Sequence, residues 1–176
     1  RAGEDVDGLV DLVRAHAGSF VGIGPRWEVD PEAWWREIEV NSRGTFKCGR
    51  AVVRAVIARQ RGRIINLTGG GTANSFPNGS GYGTSKAGLL RFTESFGDTL
   101  AGTGVLTFAM DPGLVRMTMT EFQLNDAAGK TWLPDIEKLF ENKVDVPPTR
   151  AAELSVAIGA GRFDAMAGRM LMAARG

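Results

Sequence analysis

The sequence lacks features that would place it among membrane or nucleic-acid-binding proteins. Its 176 residues contain no run of about 18 apolar residues, the length needed to span a bilayer as a helix. Charge of one sign is also missing, because 21 Lys and Arg stand against 20 Asp and Glu and the formal net charge is +1. A balanced surface of this kind does not favour nucleic acid or an anionic membrane, so we predict neither partner.

Cysteine is nearly absent as well. The single Cys48 excludes an internal disulfide, and a metal site of the Cys-x-x-Cys type cannot be built from it. Proteins without disulfides are typical of a reducing compartment. We therefore expect a cytoplasmic protein without a bound metal, in which Cys48 is a small residue of the core.

Glycine, by contrast, is in excess. The chain has 24 glycines, which is roughly twice the usual ~7% share and is typical of tight strand-to-helix turns or of backbone close to a ligand. Strand-like and helix-like segments alternate, which predicts an α/β fold with parallel strands and right-handed crossovers, as one domain over residues 1–176. The predicted strands are 9–15, 63–68, 105–110 and 169–173, the predicted helices are 31–59, 81–101 and 149–160, and 114–146 is a longer irregular stretch with an amphipathic piece at Ile136, Leu139 and Phe140.

A polar residue interrupts the apolar face of the first predicted helix. Asn41 lies in the middle of that face, and a buried amide needs hydrogen-bond partners. Two interpretations stay open: Asn41 is a core residue satisfied by a carbonyl or a water, or it belongs to a functional site. Steps of four and three place on this face Trp34, Ile38, Asn41, Thr45, Cys48 and Val52.

The second predicted helix carries Tyr82 and Lys86 one turn apart on its inward side. A nearby ammonium lowers the pKa of a phenol from about 10 toward working pH, as a general acid or base requires. The alternative is a lysine that extends to solvent beside a surface tyrosine. Context favours the first interpretation, because the preceding strand ends at the hydroxyl of Thr68 and at a glycine-rich bend, and ligands of open α/β sheets bind at that end.

Several short segments, in matching order and spacing, resemble the short-chain dehydrogenase/reductase family. The resemblance covers nearly the whole chain and implies a doubly wound parallel sheet in a Rossmann-like three-layer α/β/α fold. The segments are 8–18 (fourth strand and Asn-Ala-Gly motif), 40–46 (structural Asn), 62–68 (strand before the catalytic hydroxyl), 82–86 (Tyr-x-x-x-Lys), 111–115 (Pro-Gly at the nicotinamide) and 168–171 (last strand).

The resemblance implies an NAD(P)-dependent oxidoreductase that interconverts a ketone and a secondary alcohol by hydride transfer, with NAD or NADP as cofactor. Tyr82 would exchange the hydroxyl proton, and Lys86 would lower the pKa of Tyr82 and hold the nicotinamide ribose. Thr68 would hydrogen-bond the substrate oxygen, and Asn41 would anchor a water that passes protons to Lys86. The implied cofactor-binding residues are Tyr82, Lys86, Pro112, Gly113, Val115, Ala17 and Gly18.

The resemblance also implies a substrate-binding segment and an assembly. The segment 114–146 would form a lid over a small carbonyl or alcohol substrate, and homodimers or homotetramers are typical of the family. The expected lining of the apolar pocket is Met119, Phe122, Trp132 and Leu133.

The sequence departs from the family pattern at three positions. The family's catalytic serine position, thirteen residues before the tyrosine, holds Gly69, so Thr68 takes the hydroxyl role only if the loop has one additional residue. His16 replaces the Asn of Asn-Ala-Gly, where we expect it to contribute mainly its backbone. The threonine expected after Pro-Gly falls on Met117.

A glycine-rich loop between a strand and a helix, which would hold the cofactor's pyrophosphate, does not precede residue 9. We therefore expect these residues to be part of a longer polypeptide whose βαβ nucleotide-binding half lies outside this sequence. The alternative is a truncated relative without cofactor that acts as a structural subunit and pairs with an active partner. Without that half, the strand at 9–13 would present an apolar edge.

Overall fold

The computed structural model describes residues 10–175, and its centre is a four-stranded parallel sheet. The strands lie side by side in chain order, and the second and third are paired from Gly62 and Val105 to Leu67 and Met110. This arrangement confirms the predicted parallel α/β sheet; residue 9, where the first strand was expected to begin, lies outside the described residues. The strands are β1 (Leu12–Ala15), β2 (Gly62–Leu67), β3 (Val105–Asp111) and β4 (Met170–Met172).

Helices cover both faces of the sheet. Alternate side chains of a strand point to opposite sides, so that apolar residues on each face pack against helices. Ile64 packs with Val56 and Val105 on one face. Ile65 and Phe108 pack against the last long helix on the other. The helices are α1 (Pro31–Ile38), α2 (Gly44–Ala58), α3 (Ser80–Thr99), α4 (Thr118–Asn125), α5 (Ala127–Trp132), α6 (Asp135–Glu141) and α7 (Pro148–Gly159).

The predicted single helix over 31–59 is interrupted by one wide turn. Its start is as expected, because the Asp30 carboxylate accepts hydrogen bonds from the N–H groups of Glu32 and Ala33, both at 3.3 Å. Residues Glu39–Arg43 then form a π-helical turn between α1 and α2, in which each hydrogen bond spans one more residue than in an α-helix.

This π turn corrects the predicted inward face. Four-residue steps through it bring Glu37, Asn41 and Thr45 into the interior and continue to Gly49, whereas Cys48 is exposed. The prediction that Cys48 is a core residue was therefore wrong. The step from Thr45 to Cys48 lies within α2, where steps of three and of four residues both fit 3.6 residues per turn, and the buried side follows the four-residue step to Gly49.

The stretch 114–146 is mostly helical rather than irregular. Local caps begin its helices: the Thr120 hydroxyl accepts from the Met117 N–H at 2.9 Å at the start of α4, and Asp126 accepts from the Ala128 N–H at 2.9 Å at the start of α5. Helices this short show little apolar periodicity, although α6 does coincide with the predicted amphipathic piece. Within residues 10–175, no helix combines the length and the apolar character needed to cross a membrane.

Candidate functional site

The carboxyl end of the sheet brings Tyr82 and Lys86 together. Both are in the first turns of α3, which packs against β2 and β3. Lys86 is 4% exposed, and its Nζ donates a 2.9 Å hydrogen bond to the carbonyl of Leu67 at the end of β2. The same Nζ lies 5.5 Å from the centroid of the Tyr82 ring. The predicted pair therefore lies at the sheet edge where open α/β folds bind ligands.

Aromatic rings hold the Tyr82 side chain in place. The Phe20 ring stacks on it with centroids 4.6 Å apart and 21° between the planes, and Phe76 lies at 6.0 Å. The phenol oxygen faces Gly69, where a Cβ atom would come within 2.7 Å of it. A glycine at this position therefore leaves the hydroxyl free of a neighbouring side chain.

The pKa values of the pair differ from the expectation. Burial raises the pKa of Tyr82 to about 12, and the negative charges of Asp111 and Glu37 act in the same direction. Burial lowers the pKa of Lys86 to about 8, opposed by Asp111. The predicted lowering of the Tyr82 pKa by Lys86 was wrong for this structure, because the ammonium bonds to Leu67 while burial and two carboxylates act on the phenol. At neutral pH Tyr82 therefore keeps its proton.

Asn41, in the π turn, joins the loop after β1 to α3. Its Oδ1 accepts from the Ser19 N–H at 2.7 Å, and its Nδ2 donates to the Ser19 carbonyl at 3.0 Å and to the Ser85 hydroxyl at 2.8 Å. Ser85 in turn donates to the carbonyl of Tyr82 at 2.6 Å. The buried amide is thus satisfied by protein groups around the site, and its predicted role in a water relay to Lys86 stays a prediction.

Thr68, the predicted hydroxyl donor, follows β2 directly. Its side chain is buried, at 2% exposure, and its hydroxyl makes no hydrogen bond with the described residues. Gly69 is the residue whose Cα directly faces the Tyr82 oxygen. The catalytic role of Thr68 therefore stays a prediction.

The other expected cofactor-binding residues lie at the same edge, because the strands are parallel. Ala17 and Gly18 are exposed beyond the end of β1. Gly113, after β3, has a φ of 79°, and its N–H donates to the Asp111 carboxylate at 2.9 Å. Pro112 is partly buried and Val115 is buried at 9% exposure.

Helices α4 and α5 reach the loops around the site. The Asn78 amide before α3 donates to the Trp132 carbonyl at 3.0 Å. Met119 Cε would lie 3.6 Å from a Cβ atom at Gly18, while Phe122 is 40% exposed. The segment predicted as a lid is thus attached to the loops that follow β1 and precede α3.

Glu37 is the residue of the site that the sequence reasoning missed. The predicted face placed Trp34 and Ile38 inward, but the Glu37 side chain is 0% exposed and lies near the start of α3. The available signal was its spacing of four residues from Asn41. Burial raises its pKa, opposed by the backbone N–H groups of Gly22, Val21 and Tyr82.

The sequence and the fold are similar to those of known proteins. Residues 1–128 match the family model described as short chain dehydrogenase. A 2-dehydro-3-deoxy-L-rhamnonate dehydrogenase (NAD(+)) from Sphingomonas sp. is 39% identical over 105 residues, which are 60% of this chain and 42% of the relative. The NADP-dependent 3-hydroxy acid dehydrogenase YdfG of Escherichia coli is 31% identical over 147 residues, covering 82% of this chain and 56% of the relative. The chain therefore spans about half the length of the curated relatives it matches.

Solved structures show the same fold. A gluconate 5-dehydrogenase from Burkholderia cenocepacia, in complex with NADP and tartrate, superposes with a TM-score of 0.80 at 22% identity, over 96% of this chain and 65% of that one. An actinorhodin polyketide ketoreductase variant with NADPH also gives 0.80, at 26% identity, over 94% of this chain and 66% of that one.

Proposed function

The chain belongs to the short-chain dehydrogenase family, and from this premise we propose that it acts as an NAD(P)-dependent oxidoreductase interconverting a ketone and a secondary alcohol. The observation that carries the proposal is the position of the partly buried Tyr82 beside the buried Lys86 at the carboxyl end of the sheet. A buried ammonium is costly to a fold that does not use it. Fold alone does not name a reaction, so the proposal depends on this site.

The backbone at this edge is suited to a dinucleotide ligand. Ala17 and Gly18 are exposed after β1, and Gly113 carries no side chain at the end of β3. We assign Tyr82 and Lys86, together with these residues, Pro112 and Val115, to cofactor binding. When bound, NAD or NADP exchanges a hydride with the substrate carbon, and the protein supplies placement and charge.

Tyr82 is the proposed general acid for ketone reduction. Because burial raises its pKa to about 12, the phenol is protonated at neutral pH and can donate to a carbonyl oxygen. No side chain at Gly69 blocks the phenol oxygen. In the proposed arrangement Thr68 hydrogen-bonds that oxygen, Lys86 holds the ribose, and Asn41 anchors the water that relays protons to Lys86.

The neighbouring segment is the proposed cover of the substrate. We assign residues 114–146 as the cover of a small carbonyl or alcohol substrate, with an apolar lining formed by Met119, Phe122, Trp132 and Leu133. The attachment of Trp132 to Asn78 supports this assignment, because it ties the segment to the loop that precedes α3. We propose a homodimer or homotetramer as the assembly, which light scattering of the purified protein would test.

Substitution of Tyr82 tests the function. We expect Tyr82→Phe to reduce ketone turnover with NADH or NADPH by 10²-fold or more, since general acid catalysis contributes on that scale. The exposed Thr84→Ala on the same helix is the matched control and should retain wild-type turnover. Full activity of Tyr82→Phe would refute the catalytic assignment.

Cofactor binding separates the proposed enzyme from a structural subunit. A ligand that binds only the folded state raises the thermal midpoint, so NADH or NADPH should stabilise the intact protein. If neither cofactor at millimolar concentration shifts the midpoint, the interpretation as a structural subunit is favoured.

A further inference from the structure

Glu37 is a buried carboxylate with no ion-pair partner among the described residues. It is located in the last turn of α1, between the loop after β1 and the first turn of α3. Burying a charge is costly unless backbone groups or a partner stabilise it. A buried carboxylate in this place beside the site is therefore a candidate for a functional role.

One oxygen of Glu37 holds the loop that covers the tyrosine. Oε1 accepts hydrogen bonds from the N–H groups of Val21 and Gly22 at 2.6 and 2.7 Å. The residue immediately before them, Phe20, is 3% exposed and stacks on the Tyr82 ring. Fixing the backbone at 21–22 thus fixes the ring that packs on the phenol.

The other oxygen of Glu37 faces the helix turn that carries the tyrosine. Oε2 is buried without a regular hydrogen bond from the described residues, and a Cβ atom at Gly81 would come within 2.5 Å of it. The N–H of Tyr82 is close enough to lower the pKa of the carboxyl. Gly79, the residue before α3, provides no side-chain cap, so Glu37 supplies the negative group that this helix start favours.

From this arrangement, which rests on the proposed function, we propose that Glu37 is a positioning residue for Tyr82. Its Oε1 is hydrogen-bonded to the loop that covers the phenol ring, and its Oε2 lies against the helix turn that holds the phenol, so that the hydroxyl stays directed at Gly69. Glu37 reaches the reaction only through Tyr82 and does not contact the substrate.

The charge of Glu37 also acts on Tyr82. The charged groups around the phenol are Glu37 from α1, Asp111 from the end of β3 and Lys86 from α3 itself. The two carboxylates disfavour the phenolate. Removal of the Glu37 charge should therefore let Tyr82 ionise at lower pH.

The test compares Glu37→Gln with Glu39→Gln. The second variant is the matched control, because Glu39 lies two residues away, exposed to solvent and paired with Arg43. The intact protein is labelled with ¹³C-tyrosine, and the Tyr82 ring signals are assigned by their absence in Tyr82→Phe. Ring shifts are followed from pH 7 to 11, together with kcat, KM and the thermal midpoint.

If Glu37 positions Tyr82, Glu37→Gln moves the ring signals at pH 7 and starts phenol ionisation at a lower pH than in wild type. We expect kcat to fall roughly 10-fold with KM for the cofactor unchanged, since a misplaced acid slows the chemical step. Glu39→Gln should match wild type throughout. Unchanged ring signals, ionisation and kcat in a folded Glu37→Gln would overturn the proposal.

A second variant covers the case in which Glu37→Gln does not fold. Gly81→Ala keeps the charge but places a methyl group against Oε2, so it should also move the Tyr82 signals and lower kcat. A folded Gly81→Ala with wild-type signals and kcat would contradict the proposal. Because the ring signals need no turnover, an inactive protein whose signals respond would refute the proposed function and still support Glu37 as a positioning residue.

Discussion

Charged residues differ between the two ends of the parallel strands, which we call the amino edge and the carboxyl edge of the sheet. At the amino edge, Arg63 forms two hydrogen bonds to the partly exposed Asp164 at 2.8 and 2.7 Å, and Arg59 and Arg61 lie 3.6 and 4.0 Å from the exposed Asp11. At the carboxyl edge, the charged Lys86 and Glu37 are buried and rely on backbone groups rather than on opposite charges.

The charged residues of the amino edge form ion pairs that are typical of a protein surface. Those of the carboxyl edge are buried, as is typical of a functional site. Partly exposed pairs contribute little to stability, because water solvates the ions almost as well. Buried groups with shifted pKa values reduce stability in one of their protonation states, which is typical of residues retained for function. The carboxyl edge should thus be sensitive to substitution in ways that the amino edge is not.

The largest contrast should come from pH. The pKa of Lys86 is about 8 in the folded protein against an ordinary value of 10.5, so between these values the unfolded chain binds more protons. The contribution of Lys86 to the free energy of unfolding therefore rises with pH across this window, by up to about 3 kcal/mol, and is lost as pH falls through 8. Denaturant unfolding at pH 7 and 10 should show this rise in wild type relative to Lys86→Met; parallel pH curves would contradict it.

A methyl group at Gly69 should disturb the phenol directly. Because a Cβ atom there would lie 2.7 Å from the Tyr82 oxygen, Gly69→Ala must displace the hydroxyl. We expect kcat to fall roughly 100-fold, about 2.7 kcal/mol, with little change in the thermal midpoint. Gly70→Ala is the control, since its Cβ atom would find ordinary contacts with Phe76 at 3.6 Å. Equal kcat in the two variants would count against Tyr82 as the acid.

Removal of the buried amide should destabilise the carboxyl edge. Asn41→Ala leaves the Ser19 backbone groups and the Ser85 hydroxyl without their partner. We expect a loss of about 2 kcal/mol in the free energy of unfolding, measured by denaturant titration. The neighbouring Ser42→Ala, whose hydroxyl makes no hydrogen bond within residues 10–175, should change stability by less than about 0.5 kcal/mol.

The smallest effect should come from the amino edge. Asp164→Asn removes the carboxylate charge that pairs with Arg63. The Asp164 side chain is 42% exposed. We expect a loss of less than about 1 kcal/mol that shrinks as salt concentration rises, and no change in turnover. A salt-independent loss of several kcal/mol, measured at 0.05 and 1 M NaCl, would place this pair with the buried groups instead.

Individual residues show which parts of the site and the fold could be predicted from the sequence. Tyr82 and Lys86 were correctly placed together because α3 is a regular helix, on which residues four apart share a face. Glu37 was missed because the count crossed a π turn. Cys48 was misplaced because the prediction took a step of three residues from Thr45, whereas the buried side of α2 follows a step of four to Gly49. Helices α4 and α5 were not predicted because helices of eight and six residues show little periodicity.

The amino-acid sequence alone determined the parallel α/β architecture and the ordered segments of the short-chain dehydrogenase family, because periodicity and motif spacing are local properties of a chain. Only the tertiary structure decided which groups set the position and the pKa of the Tyr82 phenol. Phe20, Gly69 and Glu37 surround Tyr82 from three separate segments. The direction of its pKa shift depends on burial and on carboxylates brought close by folding, and neither is encoded in the spacing from Tyr82 to Lys86.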